Sequence, residues 1–236
     1  VDLVARSFAG TATTDPDGTF DWVLGPKLKG QWEDTRRQAF MKWFSQLFLA
    51  SVHLQGGFTL GAFREDKTLG AVAQVIPCLK GFKDVGTWDF MMKILPETGE
   101  PPKKELGDAG AGIMKRMDCL DVLAKTHKKL CPGAHIYVQV MAVDPSAQGK
   151  GFCSKLMRLI NVFADSLRLP LYLETSGEKN KAIYERFGYK SVEKMTLSCP
   201  KDPDKSESHE DEFAMIRPAP DTAAAPPKEG FNEVKP

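Results

Sequence analysis

Apolar and polar positions follow two periods along this chain, and the switches between them mark its elements. Residues 31–53 place Trp32, Phe40, Trp43, Phe44, Leu47 and Phe48 at helical spacing, with Glu33, Asp34, Arg36, Arg37 and Lys42 between them. That predicts an amphipathic helix whose aromatic stripe is either a buried face or a pocket wall. Residues 57–65 and 69–77 read as strands, and the short polar link at Asp66 and Lys67 makes them an antiparallel hairpin. Segment 114–130 is helical by period, turns basic toward its end and stops near Pro132 and Gly133.

Segment 135–143 alternates. Alternation puts Ile136, Val138, Val140 and Ala142 on one face, expected to be core, and His135, Tyr137, Gln139, Met141 and Val143 on the other. Three hydrogen-bonding side chains on that second face either line a cleft or lie on an exposed sheet face. A glycine turn then opens a helix with Phe152, Leu156, Ile160, Phe163 and Leu167 on one side. A strand at 171–175, a short helix carrying Asn180 and Tyr184, and a second hairpin from 189–197 and 210–217 complete the pattern.

The rest is less regular. Residues 1–8 read as the end of a helix, and 11–20 as a turn-rich break around Pro16 and Gly18. Segment 79–113 holds a short helical stretch at Trp88, Phe90, Met91 and Met92. The run after it is so rich in Gly, Pro and charge that it is expected to be a mobile insertion outside the core. The expectation is one α/β domain over 1–218, with a disordered tail over 219–236.

Composition narrows the chemistry. With 32 Lys plus Arg against 31 Asp plus Glu, net charge is +1, so there is no global attraction to nucleic acid or an anionic membrane. No apolar run approaches the roughly 20 residues a spanning helix needs. Five cysteines, Cys78, Cys119, Cys131, Cys153 and Cys199, include no C-x-x-C pair. That speaks against a disulfide framework and a structural zinc site, and no metal is expected. The expected location is the cytoplasm, or an organelle interior if a targeting segment ahead of Val1 has been removed.

The glycine turn is the candidate binding site. Backbone N–H groups at a helix start, with the positive end of the helix dipole, hold an anion such as phosphate. The Walker pattern G-x-x-x-x-G-K-[ST] does not occur. A dinucleotide fingerprint is imitated by Gly149, Gly151 and Glu174. Its third glycine position is Ser154, however, and residues 144–148 separate the strand from the first glycine.

A third pattern is matched better. Gln148, Gly149, Lys150, Gly151, Phe152 and Cys153 follow MAVDPSA, and this resembles the pyrophosphate loop of the GNAT superfamily of acyl-CoA N-acyltransferases, with Cys153 as its departure. LETS, Asn180 and YERFGY extend the likeness over about 135–198, and they are similar to the puromycin N-acetyltransferase-like and fungal GNAT-domain members.

The resemblance implies a GNAT-like mixed, mainly antiparallel sheet of six or seven strands, splayed at its centre, with helices on both faces. It implies acetyl-CoA as co-substrate, a primary amine as acceptor (a small molecule or a protein amine), and a monomer or homodimer. Tyr184 matches the general acid for the CoA thiolate, and Asn180 a CoA contact, though Asn180 also reads as a helix N-cap. The amides of Gly149, Lys150, Gly151, Phe152, Cys153 and Ser154 match the pyrophosphate cradle. Lys150 is either phosphate-facing or solvated. The N–H groups of Met141, Ala142 and Val143 would hold the oxyanion.

The general base is the gap. The family position for a glutamate falls on Tyr137, which cannot take a proton from an ammonium unaided at neutral pH. A water chain anchored by Glu174 or His135 is the expectation, unless His135 is a surface residue and Glu174 a structural partner of a helix. The alternative function is a non-catalytic acyl-CoA-binding or interaction module on the same fold.

Overall fold

The computed structural model describes residues 1–11, 14–83, 85 and 89–220, so Trp88 and the tail from 221 lie outside the described residues. Its centre is one six-stranded sheet in the order β1-β2-β3-β4-β6-β5. The strands are β1 (Phe58–Phe63), β2 (Leu69–Cys78), β3 (His135–Val143), β4 (Leu171–Ser176), β5 (Lys190–Leu197) and β6 (His209–Arg217). Both predicted hairpins form, β1 with β2 and β5 with β6, and among the six strands the parallel pair is β3 with β4.

Helices cover both faces. They are α1 (Asp2–Ala9), α2 (Gly18–Leu24), α3 (Thr35–Leu54), the short α4 (Leu95–Thr98) and α5 (Lys103–Leu106), α6 (Gly110–Asp118), α7 (Asp121–Leu130), α8 (Phe152–Leu167) and α9 (Glu178–Glu185). On one face α8 buries Leu156, Met157 and Ile160 against Ala71, Ala73, Val75, Ile136, Val138 and Leu173. On the other, α1 places Leu3 and Val4 over Val72, Val140 and Ala142. The aromatic stripe of α3 is a buried face: Phe40, Trp43 and Phe44 pack with Phe20 of α2.

Three expectations are corrected. Gln74 pairs with Val140 while Val75 pairs with Val138, so Gln139 is an extra residue, a β-bulge. One extra residue reverses the alternation beyond it. Ile136 and Val138 therefore join the α8-side core while Val140 and Ala142 join the α1 side, and the expected single apolar face is split between the two. The presumed mobile insertion is core: Ile94, Leu106, Ala109 and Ile113 are buried, and the last three pack against the aromatic cluster of α3. Leu79, Met91 and Met92 of the same segment are exposed, so only part of its apolar content is buried. Segment 114–130 is two helices, α6 ending at Asp118 and α7 starting at Asp121, with Arg116 tying α6 to Asp202 and His127 tying α7 to His135 of β3.

Candidate functional site

β3 and β4 pair only at Ile136 with Leu171 and Tyr137 with Tyr172. Beyond that point the bulge at Gln139 turns β3 away, β4 stays paired with β6, and a gap opens in mid-sheet. The Asp144 N–H donates to Gly70 O at 2.9 Å on the β2 side. Alternation therefore turns the N–H groups of Met141 and Val143 toward the gap. Val143 already donates to Ser7 Oγ of α1 at 3.2 Å, which leaves Met141 as the free donor of the two among the described residues.

At the mouth of the gap lies the glycine turn. Asp144 shapes it: its carboxylate accepts from Ser146 N–H and Oγ, and from Arg6 and Arg64 at 2.7 and 2.9 Å. Burial raises its pKa, and these partners outweigh burial and hold the carboxyl well below its usual range. Gly149 and Gly151 have φ of 74° and 81°, left-handed values that favour glycine, and a Cβ on either would enter open space. The N–H groups of Gly149, Gly151, Phe152, Cys153 and Ser154 make no hydrogen bond among the described residues and lie at the start of α8. Such a cradle fits a pyrophosphate. Gln148 is exposed beside it. Lys150 is exposed too, donating Nζ to Ser146 O at 2.8 Å, and Cys153 is partly buried against the core.

Asn180 and Tyr184 share one face of α9. Gly177 caps that helix, so Asn180 is not its cap; its side chain donates to Ser176 O at the end of β4, 3.0 Å away. Tyr184 packs against the α8-side core. Burial, with Cys153, Tyr189 and Asp17 nearby, holds its phenol proton far above the usual value, so it is a hydroxyl donor at every physiological pH.

The other face of the gap is acidic and aromatic. Glu174 is pushed up to about 8, mainly by burial, with Glu212 adding to it and the Tyr137 and Tyr172 hydroxyls opposing it. Among the described residues its Oε1 and the Tyr172 hydroxyl make no hydrogen bond of ordinary geometry, although the Tyr137 and Tyr172 hydroxyls lie near enough to oppose the rise. The Tyr137 phenol is itself raised by burial and by Glu174. His135 is buried rather than a surface residue. It does not touch Glu174 but meets His127 of α7 at 2.7 Å between Nε2 atoms, and His127 Nδ1 stands 4.0 Å from Glu174 Oε1.

A second acidic group adjoins it. Asp17 caps α2 by accepting from Phe20 N–H, and burial plus the Glu212 carboxylate push it up to about 7. Thr19 Oγ1 donates to Glu212 Oε2 at 2.5 Å, and His209 Nε2 lies 3.6 Å from the same oxygen and 3.1 Å from Ser176 Oγ. Pro16, Gly18 and His209 open from this group into a cleft of about 570 Å³ whose far wall holds Trp22, Asp204 and Ser206.

Sequence reasoning missed Asp17, His127, Tyr172, Ser176, His209 and Glu212. Asp17 had a readable signal, an Asp three residues before Phe20 at a helix start. Glu212 had one too, an acidic residue in phase with the inward positions Ala214 and Ile216. His127 lay in a helix whose partner strand no local pattern reveals.

Residues 111–191 match the family described as acetyltransferase (GNAT) domain. A Schizosaccharomyces pombe protein named as an uncharacterized N-acetyltransferase is 42% identical over 53 residues, which are 22% of this chain and 22% of that protein. The chain therefore aligns with under a quarter of that relative's length. Among solved structures, the histone acetyltransferase HPA2 and related acetyltransferase of Corynebacterium glutamicum shares the fold at TM-score 0.50 and 17% identity, over 94% of this chain and 91% of that one. A phosphinothricin acetyltransferase from Sinorhizobium meliloti in complex with AcCoA aligns at TM-score 0.41 and 13% identity, over 81% and 77%.

Proposed function

We propose that this chain, a GNAT-fold protein whose residues 111–191 match the acetyltransferase domain of that superfamily, moves the acetyl group of acetyl-CoA directly onto a primary amine. The observation that carries the reading is the gap between β3 and β4, with an anion cradle at its mouth and carboxyls on one face. The name of the fission-yeast relative agrees with it.

The roles follow from position. The free amides of 149 and 151–154 receive the pyrophosphate of acetyl-CoA, the pantetheine arm enters the gap, and the Met141 N–H reaches the thioester oxygen. The ammonium first gives one proton to Glu174, and the free amine attacks the carbonyl carbon. The C–S bond breaks as the Tyr184 hydroxyl protonates the departing sulfur, the second amine proton returns to the Tyr184 phenolate, and Glu174 releases its proton to solvent. A base near 8 is matched to that task, since its conjugate acid and base are both accessible near neutral pH.

The acceptor enters as a cation. The Glu212 carboxylate raises the proton affinity of both Asp17 and Glu174, and the basic side chains beside this acidic group are the imidazoles of His209 and His127. An ammonium supplies the missing positive charge, and a cleft of about 570 Å³ suits a small molecule.

The test is thiol release from acetyl-CoA with a panel of amines, and amine-dependent release with one acetylated product per thiol is expected. CoA binding without amine-dependent release would leave a binding module, and no CoA binding would remove the reading altogether.

A further inference from the structure

The buried pair His127 and His135 takes no part in the chemistry above, yet its hydrogen positions are forced. His135 Nδ1 is 2.8 Å from the carbonyl oxygen of Gly133, which can only accept, so Nδ1 carries the hydrogen. Burial keeps both rings neutral: His127 is pushed down to about 3, and His135 is lowered as well. A neutral His135 protonated at Nδ1 has a bare Nε2. That atom is 2.7 Å from His127 Nε2, so His127 must carry its hydrogen there. His127 Nδ1 is therefore a bare lone pair, and it faces Glu174 Oε1 at 4.0 Å, an oxygen with no hydrogen bond of ordinary geometry among the described residues. The ring cannot tilt away, because it is stacked between Phe82 at 3.9 Å and Tyr172 at 4.0 Å.

We propose that His135 and His127 are positioning residues for Glu174, locking the His127 tautomer so that its Nδ1 lone pair receives the hydrogen of the protonated carboxyl. The proposal rests on the reading of Glu174 as base. When Glu174 takes the proton of the attacking amine, its carboxyl swings in from 4.0 Å to hydrogen-bond distance and its new O–H points to His127 Nδ1. When Glu174 is ionised, the same lone pair repels it. Both effects favour the protonated carboxyl, so the pair raises the affinity of Glu174 for the proton it must collect. The other groups facing Glu174 are Tyr137 on β3, Tyr172 on its own strand, Cys131 after α7 and Glu212 on β6. None of them is set by the tautomer.

The consequence is specific: a residue that does not touch Glu174 controls its titration. His135→Leu frees His127 to move its hydrogen to Nδ1, where it donates to the carboxylate, and the Glu174 midpoint falls. His127→Phe keeps the ring stack but removes the acceptor, and the midpoint falls again. One hydrogen bond to a charged group corresponds to a shift on the order of one pH unit in each variant.

The experiment is NMR of the whole chain: 15N–1H correlation of the imidazoles in the wild type, and 13C titration of the Glu174 carboxyl in the wild type and both variants. Hydrogen on His135 Nδ1 and His127 Nε2, with a lowered Glu174 midpoint in the variants, is the expected result. A hydrogen on His127 Nδ1 in the wild type overturns the proposal, and so does an unmoved midpoint in both folded variants. Should a variant fail to fold, the wild-type tautomer alone decides. Neither readout needs turnover, so a chain that binds CoA without transferring acetyl would sink the assigned function and leave this result standing.

Discussion

Arg116 of α6 is the side chain whose loss is most readily worked out. Its guanidinium is fully buried and donates to both oxygens of Asp202 at 2.8 and 2.7 Å, to Asp204 at 3.2 Å, to Ser206 Oγ at 3.1 Å, and to the carbonyls of Val23 and Leu24 at 2.8 and 3.3 Å. It thereby ties the loop between β5 and β6 to the end of α2, and Asp204 and Ser206 of that loop line the cleft. Arg116→Ala would leave Asp202 buried without its cation, at about 3–5 kcal/mol, and would orphan two carbonyls at about 1–3 kcal/mol each, against a total stability of about 5–15 kcal/mol. That variant is expected to be largely unfolded. Arg116→Lys keeps the charge but offers three donors where the site uses a planar fork. It should cost about 2–3 kcal/mol and lower Tm by roughly 5–10 °C at pH 7. Urea unfolding and a thermal scan measure both. Burial raises the Asp202 pKa, while Ser206, the Asp204 amide and Arg116 hold it well below its ordinary value. A carboxyl with a depressed folded pKa contributes stability above its unfolded pKa of 3.8 and loses it as pH falls through the folded value. The gap between wild type and Arg116→Lys should therefore narrow on going well below pH ~4. The Lys variant should also raise KM for the acceptor and leave KM for acetyl-CoA unchanged. A Tm within about 2 °C of wild type at pH 7 would refute the claim that this network holds the cleft wall.

The remaining expectations concern the transfer itself. Tyr184→Phe should lower kcat by about 10²-fold or more with KM for acetyl-CoA nearly unchanged in steady-state assays, and full turnover would exclude the phenol as proton donor. With Glu174 as base, kcat/KM should rise with pH through about 8, because the carboxyl must be ionised to accept a proton. Glu174→Gln should abolish that limb, and an unaltered pH profile would move the base elsewhere. Gly149→Val should weaken CoA binding by calorimetry tenfold or more, since its side chain would fill open space at the turn assigned to the pyrophosphate; the left-handed φ of 74° adds strain of about 1–2 kcal/mol, seen as a lower urea midpoint. Equal CoA affinity would disqualify the turn as the cradle.

The cradle was legible because its signals are local. The Asp-Pro turn, Gly149, Gly151 and the period of α8 lie within one continuous stretch, and each glycine is needed for a backbone reason. The acidic face was not legible, because it is assembled across the sheet. Glu174 comes from β4, Glu212 from β6, Asp17 from the start of α2 and His127 from α7, and no spacing links them. The bulge was hidden for another reason: β3 is apolar at 136, 138, 140 and 142 whichever side each faces, so alternation survives in the sequence while the structure reverses it. Segment 94–113 misled through composition, since its Gly and Pro content masked four well-placed apolar side chains.

The sidedness of the gap matters to the chemistry. In β4, Leu173 points into the α8-side core, so alternation turns its neighbour Glu174 to the opposite face, while Tyr184 packs on the α8 side. In the proposed transfer the proton donor and the proton acceptor thus meet the thioester from opposite faces of the sheet. The arrangement prevents a short circuit. The phenol is held far above its usual pKa and Glu174 stands at about 8, so the resting proton stays on Tyr184 even when Glu174 is ionised. The phenol then gives up its proton only to a group more basic than the carboxylate, and a departing thiolate in a dry gap meets that condition better than Glu174 does.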